Sequence, residues 1–430
     1  MDPAEKKEAL KALGNPAISL ISYGSVKDQK TKDIIRFDPE RITHKLQRTI
    51  VSYVSKPPRT IQGQTYWLTL LGYRQGGKSL TAELCGYPKA AYNVGWDHVC
   101  IADTKPRAEY LHRRVHICHS YWPKTLRSKT MSTREVRQLS FTHGGMMRVL
   151  SGESGAVGIG QSPDFWHASE CPYWKDFEGQ VSLTIPSLIN QDNGLVLFES
   201  TPAPMDEPSA EAWQDHCYTA KKGGDSDIGV RWLYAFFPYW DGKLNRRPWP
   251  RGAALENAEI RLLERFGSQG LTKENLSFRR LMVATDKKIR RNPDLFKVYY
   301  PFDDLTCWLA SSKSVIHPSV LERHQNGVLV PWMGRDYAGH YQEYESPEGG
   351  AIYVIGVDPI GFGARDHGAF HVLKCFDAEW TQVAAFSGIT DPIYLKDKVI
   401  EAGFRYNNAT IAAERNGVGE GFIAMLIDAD

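Results

Sequence analysis

The chain has 430 residues, 42% of them apolar, which is enough for roughly two or three domains with buried cores, and its 52 Lys plus Arg against 50 Asp plus Glu leave a formal charge of only +2. Near-neutrality excludes a global field for nucleic acid, so any such binding must rest on local basic patches. The 7 cysteines never fall in C-x-x-C spacing and the N-terminus Met1-Asp-Pro-Ala-Glu-Lys-Lys has no apolar h-region, so a zinc ribbon, a disulfide frame, secretion and membrane spanning are not expected and the setting is a reducing one.

In chain order, the apolar spacing of Ile42, Leu46, Ile50 and Val51 predicts a helix over 38–54, with Asp38-Pro39 as cap and first turn. Trp67 to Leu71 reads as a buried strand and runs straight into Gly72-Tyr-Arg-Gln-Gly-Gly-Lys-Ser79, a full match to G-x-x-x-x-G-K-[ST]. In such a loop Gly72, Gly76 and Gly77 let backbone N–H groups point at phosphate oxygens. Lys78 reaches the outer phosphates of ATP, the Ser79 hydroxyl ligates Mg²⁺, and the helix that follows aims its positive end at the anion. A chance glycine-rich turn is the competing explanation. Strands at 98–103, 164–168 and 195–199, helices at 106–118 and 181–189 (the latter interrupted by Pro186), and a hairpin over 138–151 turning at His143-Gly-Gly145 predict a mainly parallel α/β sheet with its ligand at the strand carboxyl ends. The stretch from 202 to about 350 reads mostly as connector, with helices at 254–266 and 275–285. Its Arg and Lys cluster over 250–291 is a solvated face or a DNA-contacting patch. Strands at 351–357, 369–374, 383–386 and 410–413, with a helix at 392–403, predict a second, mixed sheet.

An ATPase needs a carboxylate near the γ phosphate, at the end of a strand beside the loop strand. Glu170, after Asp164-Phe-Trp-His-Ala-Ser169, occupies that position, with an ordinary surface acid as the alternative. Ser169 stands where a second acid is common. Ser200 and Thr201 end the next strand as phosphate sensors or as plain turn hydroxyls. In the second sheet Asp358 and Glu414 end or interrupt apolar strands. Buried strand acids are costly unless paired or metal-bound, so the two point to a divalent-metal site, with Asp366 a weaker ligand; the alternative is turn acids beside glycines.

These motifs in this order, with Glu199-Ser-Thr-Pro202 and Ala412-Ala-Glu-Arg-Asn-Gly417, resemble the large subunit of tailed-bacteriophage terminases along essentially the whole chain. The resemblance implies a P-loop NTPase domain, a mainly parallel sheet flanked by helices, followed by an RNase H-like α/β nuclease domain that is C-terminally truncated here. Expected divisions are 1–55 (helical, adenine side), 56–205 (ATPase core), 206–345 (connector with completing elements) and 346–430 (partial nuclease). Gln47 resembles the family's adenine-contacting glutamine, and Arg74 and Gln75 lie in a loop similar to its arginine-bearing phosphate loop. Val298-Tyr-Tyr-Pro301 through Val315-Ile316 is similar to its connector.

The implied activity is ATP-driven pumping of double-stranded DNA into a procapsid, with Mg²⁺- or Mn²⁺-dependent cutting of concatemeric genomes by Asp358 and Glu414. Implied partners are the portal protein, a small terminase subunit and further copies in a ring, in the host cytoplasm and without a membrane. The family's Arg-Gly pair before Glu170 is missing at Gly158-Ile-Gly160, leaving Arg148, Arg74 or a neighbouring subunit as arginine finger. No third nuclease acid precedes Asp430, so reduced or absent cleavage by this chain is expected. A P-loop helicase or recombination ATPase with a DNA-binding C-terminal sheet, or an assembly component holding ATP as a structural ligand, are the competing readings.

Overall fold

The computed structural model describes residues 3–28, 31–37, 45–131, 137–153, 162–223, 231–308, 340–363, 367–376 and 379–429, and the chain divides into two compact units, Met1–Glu322 and Arg323–Asp430. In the first unit β1 (Ser25–Lys27) and β2 (Ile34–Arg36) form a small antiparallel pair. Seven strands, β3 (Trp67–Gly72), β4 (Asp97–Ala102), β5 (Gln138–Ser140), β6 (Met146–Ser151), β7 (Phe165–Ser169), β8 (Leu195–Ser200) and β9 (Trp232–Phe237), form a sheet of order β5-β6-β4-β7-β8-β3-β9. Only β5 and β6 pair antiparallel in it. The expected hairpin is therefore present, with Gly144 at φ 90° in its turn, and β6 also pairs parallel with β4. The carboxyl ends of β3, β4, β7 and β8 share one edge, where a ligand site forms in such sheets.

The uninterrupted apolar run of β3 suits a central strand, since β8 and β9 flank it and all six of its residues are buried. On one face the sheet packs under Leu46, Ile50, Val54 and Leu84; on the other Trp166, Trp174, Phe177, Phe198 and Trp213 build an aromatic core.

Two elements differ from expectation. The helix Phe177–Ile189 continues through Pro186, because Pro186 and Ser182, whose carbonyl loses its N–H partner, both lie on the exposed face where water replaces the bond. Strand β9 lies within the stretch read as connector, where Trp232-Leu-Tyr-Ala-Phe-Phe237 pairs with β3 along its whole length. The helix Lys45–Ser55 is present, while Asp38-Pro39, like Val315-Ile316, lies outside the described residues.

Tyr53 ties that helix to the sheet. Its buried hydroxyl lies 2.8 Å from both the Tyr66 and Val196 carbonyls and accepts the Val196 N–H at 3.1 Å. Tyr53→Phe leaves that N–H unpaired in the core and is expected to cost about 1–3 kcal/mol, read as a lower urea midpoint at unchanged m-value.

The second unit holds β10 (Tyr341–Glu343), β11 (Ile352–Asp358), β12 (Gly368–Phe376), β13 (Glu379–Gly388) and β14 (Thr410–Ala413), ordered β10-β13-β12-β11-β14. All pairs are antiparallel except β11 with β14. The buried face of β11 (Tyr353, Ile355, Val357) packs with Leu395, Val399 and Ala402 of the helix Pro392–Arg405. Arg405 grips the buried Glu343 with two nitrogens at 2.9 and 2.7 Å, pinning the edge strand β10. All 7 cysteines are free thiols. Among the described residues no helix is long and apolar enough to cross a membrane.

Candidate functional site

Strand β3 runs directly into the glycine-rich loop. Gln75 and Gly77 take positive φ (61° and 72°), and Gly77 is the N-cap of the helix Lys78–Tyr92. A Cβ at Gly72 would stand 2.8 Å from Leu46 Cδ1, and one at Gly77 would stand 2.4 Å from Gln47 Nε2. The helix Lys45–Ser55 therefore lies against the loop and carries Gln47 to its last turn, where the positive φ of Gly77 favours glycine. Lys78 is buried and donates from Nζ to the Tyr73 carbonyl at 3.2 Å.

Beside the loop, Ser169 at the end of β7 donates from Oγ to Ser79 Oγ at 2.8 Å. Glu170 follows in the left-handed region (φ 57°, ψ 46°), a conformation that costs a non-glycine residue about 1–2 kcal/mol. Its surroundings hold it there. The Glu170 N–H donates to the Glu199 carbonyl at 2.9 Å, Oε2 accepts the Ser200 hydroxyl at 3.1 Å, and Oε1 lies 3.3 Å from Arg107 Nη1. Arg107 also meets Asp103, at the end of β4, at 3.3 Å. Burial raises the Asp103 carboxyl above its ordinary range, against the pull of Arg107. Thr201 is buried directly after Ser200. The Ser79 hydroxyl, bonded to Ser169, is the oxygen donor that a phosphate loop gives to Mg²⁺, so the site fits that ion.

Arg74 is stacked with its guanidinium carbon 3.4 Å above the Tyr299 ring centroid, and it donates to the Tyr173 hydroxyl at 3.3 Å. Burial opposes its charge, yet Tyr173, Tyr299 and Glu170 raise its pKa above the ordinary value. Arg148 is elsewhere. It pairs with Asp97 at the start of β4, the opposite edge of the parallel sheet from the loop, because its position on β6 is in register with Val99; it is not an arginine finger for this loop. Gly158-Ile-Gly160 lies outside the described residues.

In the second unit Asp358 ends β11, and Glu414 follows β14, its parallel neighbour; the Glu414 N–H donates to the Val357 carbonyl at 3.0 Å. The two acids stand on adjacent strands, which in general run about 4.8 Å apart. Both are exposed, contrary to the expectation of buried strand acids, because the burial alternation of β11 turns Asp358 outward and β14 ends before Glu414. Exposed to water, the two carboxylates need no metal to offset burial, and only their adjacency points to one. Asn416 donates to Glu414 Oε1 at 2.8 Å. Asp366 lies outside the described residues.

Solved structures that resemble this chain include phage large terminases. The large terminase of bacteriophage HK97 is 16% identical over 97% of this chain and 78% of its own, with a TM-score of 0.45. That of a thermophilic bacteriophage, in complex with ATP-gamma-S, is 14% identical over 90% of this chain and 80% of its own, at 0.34. The large terminase nuclease of thermophilic phage G20c, with bound magnesium, is 25% identical over 24% of this chain and 50% of its own, at 0.19. No family model and no curated protein matches.

The loop residues Gly72, Arg74, Gln75, Gly76, Gly77, Lys78 and Ser79 thus share one sheet edge with Gln47, Glu170, Ser200 and Thr201, while Asp358 and Glu414 sit together in the second unit. The sequence reading missed Arg107. The available signal was its place in the first turn of the predicted helix, directly after the strand that ends at Asp103 and at the same sheet edge as the loop.

Proposed function

We propose that this chain is the large subunit of a viral DNA-packaging terminase: ATP hydrolysis in the first unit drives translocation of double-stranded DNA into a procapsid, and an RNase H-like second unit cuts it. The observation that carries the ATPase half is Glu170, clamped between Ser200 and Arg107 one residue beyond the hydroxyl that meets Ser79. Backbone N–H groups of the loop and Lys78 would bind the phosphates and Gln47 the adenine side. Mg²⁺ held through Ser79 would draw charge from the phosphate oxygens. Glu170 would orient the attacking water and take its proton. Ser200, bonded to Glu170 and continuous with Thr201, would report that event to β8. Arg74, stacked on Tyr299, would pass it to the segment leading out of the unit.

The cutting half rests on Asp358 and Glu414 on neighbouring strand ends, an oxygen pair suited to Mg²⁺ or Mn²⁺. The portal protein, a small terminase subunit and a ring of copies acting in the host cytoplasm belong to the same proposal. The test is DNA-stimulated ATP turnover measured beside Mn²⁺-dependent plasmid cleavage. Turnover without strand separation supports a motor on intact duplex, and unwinding refutes it. Asp358→Asn is expected to lower any cleavage by at least about 10²-fold, since it removes the charge that shares the metal, and to leave ATP turnover unchanged. Cleavage that survives the substitution removes Asp358 from the site.

A further inference from the structure

Beneath the nucleotide edge of the first sheet lies a chain of ionisable groups that the site above does not use. Glu83 belongs to the helix Lys78–Tyr92, His98 and Cys100 to β4, His167 to β7 and Glu199 to β8, and all five are fully buried. His167 sits between two carboxylates: Nδ1 is 3.0 Å from Glu83 Oε1 and Nε2 is 3.3 Å from Glu199 Oε1. His98 Nε2 approaches the same Glu83 oxygen at 3.2 Å. Among the described residues Glu83 Oε2 and Glu199 Oε2 have no hydrogen-bond partner.

Burying ions costs several kcal/mol each, and aliphatic residues of similar volume would fill this space at no such penalty. The elements joined are the informative part. The helix that Glu83 anchors begins with Lys78 and Ser79. The strand of His167 ends in Ser169 and leads to Glu170, and that of Glu199 ends in Ser200. The last step is a direct bond, because the Glu199 carbonyl accepts the Glu170 N–H at 2.9 Å. Burial alone would lower the His167 pKa, but hydrogen bonds to Glu199 and Glu83 raise it to about 9, which favours the doubly protonated ring. Burial alone would raise both carboxyls. His98 and His167 hold Glu83 below its usual range, and His167 with Lys78 does the same for Glu199.

We propose that His167, bridging Glu83 and Glu199, is the positioning residue that locks the ends of β7 and β8 to the phosphate-loop helix, and so keeps Glu170 and Ser200 in hydrolytic register with Ser79. This rests on the ATPase reading above. Glu83, Cys100 and His167 are also the one group of three metal-type ligands that the described residues bring within 4.8 Å of one another. Two facts favour the proton over a metal: both ring nitrogens already face carboxylates, and burial raises the Cys100 thiol well above its usual range, against the thiolate a metal needs.

The test compares the full chain with His167→Gln and with the apolar triple variant Glu83→Met, His167→Leu, Glu199→Met, which relieves the buried charge and keeps the volume. Four quantities are read: fluorescent ATP affinity, kcat, hydrogen exchange at the Glu170 amide, and the ¹⁵N shifts of the His167 ring. The wild-type ring should be doubly protonated at pH 7.5. The triple variant should fold and bind ATP within about threefold of wild type, yet lose about 10–100-fold in kcat, the effect of misplacing a catalytic group by about 1 Å, and its Glu170 amide should exchange faster. His167→Gln should show the same split of kcat from affinity should the triple variant fail to fold. Wild-type kcat and Glu170 exchange in the variants, a neutral His167 ring, or stoichiometric zinc in the purified protein would each overturn the proposal. A wild-type chain that binds ATP without turnover refutes the ATPase reading instead, and ring protonation with Glu170 exchange then still decides the positioning claim.

Discussion

Glu170→Gln is expected to lower ATP turnover by about 10²–10⁴-fold, the usual contribution of a positioned general base, while nucleotide affinity stays within a few-fold. Glutamine keeps the shape and still accepts the Ser200 hydroxyl, so the left-handed backbone at Glu170 and its bond to the Glu199 carbonyl persist. What is lost is the charge that takes a proton and that Arg107 faces at 3.3 Å. The measurement is steady-state phosphate release with and without DNA, beside equilibrium binding of a fluorescent nucleotide. Turnover within threefold of wild type would make Glu170 a structural acid and leave the proton to another group. An equal loss of affinity and turnover would instead mean that the loop edge had been disturbed.

Lys78→Ala is expected to fail in both measurements. The ammonium is buried against the loop and is the one cation whose backbone position the phosphate-loop geometry dictates. Removing a preorganised charge of this kind costs about 10²–10³-fold in rate, and here it also removes attraction for the bound phosphates. The alanine variant should therefore show turnover reduced by at least that factor and clearly weaker nucleotide binding. DNA-stimulated turnover that survives Lys78→Ala would end the motor assignment altogether. The two substitutions differ in affinity, retained in the first and lost in the second, which separates binding from chemistry.

Much of the first unit was legible because its signals are local. A short apolar run such as Trp67 to Leu71 that stops at a glycine reads as a strand covered on both faces, and Gly-Gly-Lys-Ser beyond it calls for a turn at positive φ followed by a helix. Residues that end strands, Ser169 with Glu170 and Ser200 with Thr201, were also readable, since apolar runs of five or six residues mark where a sheet edge must come. The helix through Pro186 and the strand Trp232–Phe237 were harder. In one the outcome depends on which face meets water, and in the other on whether a neighbouring strand is free to pair.

Sequence alone therefore determined the place of the glycine-rich loop, of the acid that follows the strand beside it, and of the two acids of the second sheet, because each belongs to a short pattern of adjacent residues. Only the tertiary structure decided that Arg107 faces Glu170, that Arg148 lies at the far edge, that Asp358 and Glu414 are exposed, and that His167 joins Glu83 to Glu199. Those outcomes in the first sheet follow from the order β6-β4-β7-β8-β3, and the exposure of Asp358 and Glu414 from the side-chain alternation of β11 and the early end of β14. Strand order is set by long-range packing between segments distant in the chain, and local periodicity does not encode it.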